Sequence, residues 1–288
     1  VKLVTTAPPL ATLQAQGDNP EIDLFVAGDP QRMLAEQGGL LQPYDPDVVT
    51  NAADLFDVAR KSDSALVLNF ASQGLAYNTE KVTDEPTSWF DLFELSLPGD
   101  VVVRAPDAQN TVSWLSLMAK ELNGDWPTKI EDYDEVLDLV RAKLKPNLFA
   151  AVSSSGDVDV AMTETGVALG VWQDSQVLAA QAKDAPIAFA APKEGTLPIA
   201  TMAALTKTPN KYWAEVLMNY MLDPEVQAGW AENGGYGPSN STTVVSDEVA
   251  DHITYGEDKV KALVAVPWEQ IVPMSTELIE AFNAAIAS

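Results

Sequence analysis

Residues 74–92 read "GLAYNTEKVTDEPTSWFDL", and this stretch decides the fold. Larger side chains alternate with small or polar ones over "LAYN", which predicts a short strand, and the polar "NTEK" predicts a turn. After the proline, Thr87 or Ser88 can cap a helix that opens on "WFDLFE". The order is therefore strand, turn and capped helix, with Tyr77 and Asn78 at a passage between two structural units.

Length and composition predict a soluble protein with two lobes. The chain has 288 residues, 47% of them apolar, which is enough to bury one large core or two ordinary ones. No segment approaches the roughly 18 consecutive apolar residues of a membrane span, and the first residues do not show the charged-then-apolar pattern expected of a signal peptide. The absence of cysteine excludes disulfides, thiol catalysis and cysteine-bound metal sites.

The charge is strongly acidic, with 42 Asp and Glu residues against 17 Lys and Arg residues and a formal net charge of -25. Nucleic-acid binding is excluded, because phosphate contacts need clustered basic residues. A solvated acidic surface that aids solubility explains this charge, and an attraction for cationic ligands is the alternative.

Short apolar segments alternate with helical patterns along the chain, which predicts an α/β fold with parallel sheets. The strand candidates are "EIDLFVAG", "GDVVVRAP", "GVALGVWQ" and "APIAFAAPKEG". The helix candidates are "PQRMLAEQGGLL", "NTVSWLSLMAKELNG" and "NKYWAEVLMNYMLDPEVQAGWAENGG". No long linker separates these segments, so short passages of chain would join the two lobes.

Five segments resemble, in order and spacing, those of type II periplasmic solute-binding proteins, particularly the spermidine/putrescine-binding-like family. The stretch at residues 74–92 resembles the segment in which that family's chain first passes between lobes. The other four are "PEIDLFVAGDPQRMLAEQGGLLQPYD", "GVALGVWQDSQV", "PIAFAAPKEGT" and "NKYWAEVLMNYMLDPEVQAGWAENGGYGPSN", whose first part resembles the family's long helix. Members usually begin with a strand and a helix before a segment like "VKLVTT", so we expect that part of lobe 1 to be missing by truncation or omission.

The resemblance implies two α/β lobes that close on a ligand in a cleft between them. Lobe 1 would comprise residues 1–78 and 200–240, and lobe 2 would comprise residues 79–199 and 241–288. Such proteins deliver a solute to the permease subunits of an ABC importer. We therefore expect a periplasmic or extracellular monomer that binds a small-molecule ligand and permease subunits, with no catalytic residue, cofactor or metal.

The resemblance also implies where the chain passes between the lobes. The first passage would lie near residues 76–80, the second near residues 192–200 and the third near Asn240. Tyr77 and Asn78 would be hinge residues rather than part of a catalytic centre.

Aromatic residues at matching positions are candidates for the ligand pocket. Trp172 matches a pocket aromatic residue, Tyr236 matches the tyrosine of the terminal turn, and Trp268 with Glu269 resembles a late aromatic–polar pair. Aromatic faces bind cations, with about 0.5–2 kcal/mol per contact. Asp174 could pair with a ligand amine, although a solvated turn residue is the plainer interpretation, and ordinary packing is the alternative for each aromatic residue.

The polyamine pattern fails at three places. Ile199 and Thr201 lie where polyamine binders of the family carry a Trp-x-Asp whose carboxylate holds an amine. Gly28 and Asp29 replace Ser and Tyr in the first pocket loop, and the helix after "VVVRAP" begins with amide and hydroxyl residues instead of acidic ones. The sequence therefore predicts a ligand other than a long polyamine, with spermidine or putrescine as the alternative.

Two helix starts are predicted anion sites, because a helix N-terminus carries free N–H groups and a partial positive charge. The first has Asn110, Thr111 and Ser113, and the second has Ser154 and Ser155 in "SSSGDVD". Helix capping alone is the alternative. Together with the aromatic residues, these starts favour a small zwitterion such as an amino acid, γ-aminobutyrate or an aminoalkylphosphonate.

An enzyme on the same fold is the distant alternative. His252 is the single histidine and lies in a polar segment, which predicts a surface residue. There is no phosphate-binding loop or dinucleotide fingerprint, and the adjacent tyrosines with which relatives capture ferric iron are absent.

Overall fold

A computed structural model describes residues 2–3, 9–105 and 110–287, and the segment "VKLVTT" lies mostly outside the described residues. The chain forms two compact units. Unit 1 comprises Val1–Phe70 and Ala200–Val260, and unit 2 comprises Ala71–Ile199 and Lys261–Ser288. The lobe limits from the sequence were 78 and 240, whereas the compact units change at 70 and 260. Compactness does not locate a bend, so the hinge positions stay predictions.

The strands vary in length from two residues to fourteen. They are β1 (Leu24–Ala27), β2 (Arg60–Ser62), β3 (Ala65–Asn78), β4 (Val101–Arg104), β5 (Leu148–Val152), β6 (Leu169–Gln173), β7 (Ile187–Ala190), β8 (Leu197–Leu205) and β9 (Gly237–Pro238). Both β3 and β8 continue from one unit into the other.

The helices of the described residues are short, and none of them is long and apolar enough to span a membrane. They are α1 (Pro9–Gln16), α2 (Asp29–Gln37), α3 (Asp91–Glu94), α4 (Thr111–Asn123), α5 (Asp134–Leu139), α6 (Lys145–Asn147), α7 (Ser155–Asp159), α8 (Asp174–Gln181), α9 (Lys211–Met221), α10 (Pro224–Gly234), α11 (Asp247–Ala250), α12 (Glu257–Lys261), α13 (Trp268–Ile271) and α14 (Ser275–Ala287).

In unit 1, β1 pairs antiparallel with β8, from Leu24 opposite Leu205 to Ala27 opposite Met202. The first part of β3 pairs antiparallel with β2 and β9. A buried cluster that includes Leu13 and Phe25 packs against these strands. Phe25 and Ala27 of "DLFVA" therefore face this core, whereas Val26 between them is exposed.

In unit 2, β4 lies between β5 and β6 and is parallel to both, whereas β3 is antiparallel to β6 and to β7. The prediction of parallel sheets is therefore right for β4, β5 and β6 and wrong for β1, β3 and β8. Helices connect β4, β5, β6 and β7, so these four strands run in the same direction. Strand β3 enters unit 2 from unit 1 and is antiparallel to β6 and β7. Hydrophobic periodicity does not indicate the direction of a strand, so the sequence could not predict this pairing.

The predicted long helix is in fact two helices, α9 and α10. Pro224 is the first residue of α10 and cannot donate a backbone hydrogen bond to the preceding turn. The side chain of Asp223 accepts a hydrogen bond from the N–H of Glu225 at 2.9 Å and caps the new helix. The break is therefore encoded by "DPE" within an otherwise continuous apolar pattern.

The helix predicted over "WFDLFE" is a single turn, because its first residues bind another part of unit 2. The hydroxyl of Ser88 donates to Glu194 Oε1 at 2.6 Å, and the N–H of Trp89 donates to Glu194 Oε2 at 3.0 Å. The indole of Trp89 is fully buried and donates to the carbonyl of Gly195 at 2.9 Å. These contacts join the stretch after the predicted first passage to the "PKEGT" segment of the predicted second passage.

Candidate functional site

Most of the predicted site residues of unit 2 lie near one edge of its sheet. The parallel strands β4, β5 and β6 end at Arg104, Val152 and Gln173, and the chain then leads to the starts of α4, α7 and α8. Ligands of open α/β sheets bind outside the carboxyl ends of the strands. The helix starts with hydroxyl, amide and carboxylate groups therefore lie at the edge where this fold class binds ligands.

The start of α4 is held by its own hydroxyl groups. Thr111 Oγ1 donates to the carbonyl of Arg104 at 2.8 Å, and Ser113 Oγ donates to the carbonyl of Asn110 at 2.7 Å. Thr111 and Ser113 are buried, and Asn110 is partly buried and forms no side-chain cap. Because these hydroxyl hydrogens bind main-chain carbonyls, a ligand anion at this helix start would depend on backbone N–H groups.

The start of α7 is a capping box. Ser154 Oγ accepts a hydrogen bond from the N–H of Asp157 at 3.1 Å, and Asp157 accepts from the N–H of Ser154 at 3.0 Å. The hydroxyl of Ser154 also donates to Asp157 Oδ2 at 2.7 Å, and this bond, followed by the one from the N–H of Ser154, lowers the pKa of Asp157 below its usual value. The start of α7 is therefore capped, with a carboxylate of the chain itself bound there, and its role as a ligand site stays a prediction.

Trp172 lies in the core of unit 2, in a buried cluster with Val158, Met162 and Val177. Its side chain is 3% exposed, and its indole N–H donates to Ser155 Oγ at 3.1 Å. Its pocket role stays a prediction, and its surroundings in unit 2 are those of a packed core residue. Ser155 is partly exposed and supports the indole.

Asp174 is buried, so the interpretation as a solvated turn residue is wrong. Its Oδ1 atom accepts hydrogen bonds from the N–H of Ser72 at 2.9 Å and from the N–H of Ser175 at 2.7 Å. The carboxylate is 6% exposed, and one of its donors, Ser72, lies 102 positions away in the sequence. A local pattern in the sequence cannot indicate such a contact.

Two residues at this edge were not predicted. Gln73 is 1% exposed, and its side-chain amide donates to the carbonyl of Asn110 at 3.1 Å. Arg104 is partly exposed, and its guanidinium donates to the carbonyl of Ser153 at 3.3 Å. A polar residue within an apolar strand is the signal that could have found Gln73, and a cation at the end of "VVVR" could have found Arg104.

In unit 1, Gly28 precedes α2 and its carbonyl accepts the N–H of Arg32 at 3.0 Å. The carboxylate of Asp29 contacts Arg32 Nη2 at 2.7 Å and Lys61 Nζ at 3.4 Å. Thr201 on β8 and Tyr236, which follows the left-handed Gly235 at the end of α10, are both partly buried. The carboxylate predicted in this loop therefore already has two cationic partners within the chain.

The remaining candidates lie elsewhere in unit 2. Trp268 at the start of α13 is buried at 8% exposure, and Glu269 is exposed. Tyr77 pairs with Leu169 on β6, and the side chain of Asn78 accepts the N–H of Glu80 at 2.9 Å. The ligand and hinge roles of these residues stay predictions.

His252 is exposed, as predicted. Over residues 2–3, 9–105 and 110–287, no three His, Cys, Asp or Glu side chains are grouped so that they could hold a metal ion.

Comparisons with known proteins agree with this fold. Residues 19–269 match the family described as bacterial extracellular solute-binding protein. The chain belongs to this family. A curated relative, the spermidine/putrescine-binding periplasmic protein of Escherichia coli strain K12, is 28% identical over 258 residues, which cover 85% of this chain and 71% of that protein.

Solved structures show the same α/β fold of the two-lobed periplasmic binding proteins, which confirms the predicted fold class. The spermidine/putrescine ABC transporter substrate-binding protein of Streptococcus pneumoniae aligns with a TM-score of 0.76 at 18% identity, over 96% of this chain and 87% of that one. The periplasmic binding protein AfuA of Actinobacillus pleuropneumoniae, solved with fructose-6-phosphate, aligns with a TM-score of 0.74 at 18% identity, over 96% and 86%.

Proposed function

We propose that this solute-binding protein works outside the cytoplasm as the solute-capturing component of an ABC importer and does not transform its ligand. The family match over residues 19–269 carries this proposal. The Streptococcus pneumoniae protein with the same fold, which serves a spermidine/putrescine ABC transporter, supports the importer assignment. A monomer that presents its bound solute to permease subunits fits this role.

For the ligand, we propose a small organic solute with one anionic end, such as an amino-acid-like zwitterion or an aminoalkylphosphonate. The supporting observation is the carboxyl edge of unit 2, where α4 begins with Asn110, Thr111 and Ser113 and Arg104 ends β4. Backbone N–H groups at a helix start and a nearby guanidinium both favour an anion.

The carboxylates at the candidate positions favour the same ligand class. Asp29 pairs with Arg32, and Asp174 accepts two backbone N–H groups. A ligand ammonium would have to compete with these partners, and an ammonium buried without a partner is strongly unfavourable.

A polyamine is the second candidate. The observation in its favour is the 28% identity to the spermidine/putrescine-binding protein of Escherichia coli. In that case the ammonium groups would be held by Asp174 or Glu269, with aromatic residues such as Trp268 along the alkyl chain.

Calorimetry with spermidine, putrescine, γ-aminobutyrate and 2-aminoethylphosphonate tests the ligand class. We expect at least one zwitterion to bind and to raise the melting temperature by an amount set by RT ln(1 + [L]/Kd), with a weaker response to both polyamines. Glu277→Gln is the control, because it removes an exposed carboxylate on α14, where no ligand contact is proposed, and should leave zwitterion binding unchanged. Submicromolar spermidine binding without a response to either zwitterion would reverse the choice of ligand.

Mass spectrometry of the bound solute after prolonged incubation tests the absence of turnover. We expect the released solute to have its original mass, because the exposed His252 lies in a polar surface segment and no catalytic constellation is proposed. A product that accumulates in proportion to protein concentration would show an enzyme.

A further inference from the structure

Two consecutive residues of β3 contact the starts of two different helices in unit 2. The N–H of Ser72 donates to Asp174 Oδ1 at 2.9 Å, and Asp174 is the first residue of α8. The side-chain amide of Gln73 donates to the carbonyl of Asn110 at 3.1 Å, and Asn110 immediately precedes α4. These residues lie next to the point, between Phe70 and Ala71, at which β3 leaves unit 1.

These contacts lie away from solvent. Gln73 is 1% exposed, Asp174 is 6% exposed and Ser72 is 8% exposed. The backbone of Gln73 is also opposite Gln173, the residue before α8, in the pairing of β3 with β6. Buried hydrogen bonds define positions sharply, because breaking one removes a partner from a polar group that has little access to water.

We propose that Gln73 and Asp174 are positioning residues that couple the starts of α4 and α8 through strand β3. This inference rests on the proposed function, in which a solute binds at the carboxyl edge of unit 2. A solute that displaces either helix start also displaces residues 72–73, and these residues displace the other helix start. Asp174 then contributes the position of its acceptor oxygen, and its charge is not used to pair with a ligand amine.

Amide hydrogen exchange of the ligand-free chain tests the coupling by comparing the first hydrogen-bonded turns of α4 and α8, residues 114–117 and 177–180, whose N–H groups donate within the helix. Gln73→Leu removes the donor to Asn110, and Asp174→Leu removes the acceptor of Ser72. Each variant should accelerate exchange in both turns by about tenfold, the factor that one net hydrogen bond supplies. The acceleration in the double variant should be smaller than the product of the accelerations in the two single variants, because the residues act as one unit.

Two further variants separate position from charge and from global destabilisation. Asp174→Asn keeps an acceptor oxygen without the charge and should exchange like the wild type. Gln270→Leu is the matched control, since its amide donates to the carbonyls of Trp126 and Pro127 elsewhere in unit 2, at 3.1 and 2.8 Å, and it should leave both turns unchanged.

If the leucine variants do not fold, Gln73→Glu carries the test. A carboxylate has no hydrogen for the carbonyl of Asn110, whereas a protonated carboxyl group does. The exchange rate of Gln73→Glu relative to the wild type should therefore fall back toward one as the pH is lowered.

Several outcomes would overturn the coupling. They are acceleration confined to the helix that each residue contacts, a double variant equal to the product of the singles, an Asp174→Asn variant that exchanges like Asp174→Leu, or a Gln73→Glu variant without pH dependence. None of these measurements uses a solute. Failure of all four calorimetric probes would instead count against the proposed ligand classes.

Discussion

Replacement of Trp172 by alanine separates a core tryptophan from a pocket tryptophan. The side chain is 3% exposed and packs in unit 2 among Val158, Met162 and Val177. Its indole N–H donates to Ser155 Oγ at 3.1 Å. Trp172→Ala therefore removes a large buried surface and one hydrogen bond. We expect the free energy of unfolding to fall by more than the free energy of solute binding.

The magnitude follows from the burial of Trp172. Truncation of a buried tryptophan to alanine destabilises a protein by about 3–5 kcal/mol, which includes the cavity that remains. Ser155 is partly exposed, so water replaces the lost indole and adds little to the cost. Because 1 kcal/mol moves the melting temperature of a domain of 150–250 residues by about 2–4 °C, we expect a fall of about 6–20 °C.

Scanning calorimetry of the wild type and two variants measures this effect. Trp213→Ala is the matched control, because Trp213 on α9 is 71% exposed and its replacement should change stability by at most about 0.5 kcal/mol. If Trp172→Ala melts like the wild type and loses solute binding by a factor of ten or more, Trp172 belongs to the pocket wall. The core assignment would then be refuted.

Three further outcomes follow from single contacts. Glu194→Ala should lower the free energy of unfolding in urea by about 1–3 kcal/mol, because the hydroxyl of Ser88 and the N–H of Trp89 lose their acceptor. The carboxyl of Asp157 should titrate below 3.8 in NMR, so its stabilising effect is complete above 3.8 and is lost as the pH falls through the lower pKa of the folded state; Ser154→Ala should raise that pKa. Gly237→Ala should lower the free energy of unfolding by about 1–3 kcal/mol, because its Cβ would lie 2.0 Å from the carbonyl oxygen of Thr254. If Glu194→Ala or Gly237→Ala is as stable as the wild type, or if Ser154→Ala leaves the pKa of Asp157 unchanged, the corresponding contact is contradicted.

Local patterns predicted the elements whose causes are local. Strand β6 was predicted from "GVALGVWQ", and helix α4 was predicted from "NTVSWLSLMAKELNG". The start of α10 at Pro224 also has a local cause, the Asp223 cap, but the sequence analysis predicted one long helix there. The sequence did not predict that β3 is a single strand of fourteen residues, because its buried portion "ALVLNFASQGLAYN" lacks a clear alternation. Its antiparallel pairing with β6 depends on residues about 100 positions away.

The sequence indicated which types of residue lie at the helix starts but not which hydrogen bonds they form. The hydroxyl residues at the start of α4 were predicted to bind an anion or to cap the helix, yet the hydroxyl of Thr111 donates to the carbonyl of Arg104 at the end of the preceding strand. Whether a hydroxyl faces a ligand or its own backbone depends on one rotamer, and residue spacing does not determine that rotamer. Gln73 was missed because its partner, Asn110, lies 37 residues further along the chain.

The net charge of -25 and the charge of the ligand are separate questions, and ionic strength distinguishes them. A summed negative field attracts polyamines to the surface, but salt screens exposed charges within about 8 Å at 0.15 M ionic strength. The carboxylates at candidate positions are differently placed, since Asp29 contacts Arg32 and Lys61 and Asp174 is buried against backbone N–H groups. We therefore expect spermidine to give heat at low salt that vanishes at 0.5 M salt, whereas a zwitterion bound at a helix start keeps most of its affinity. Spermidine binding that survives 0.5 M salt would mean that one of these carboxylates exchanges its partner for a ligand amine.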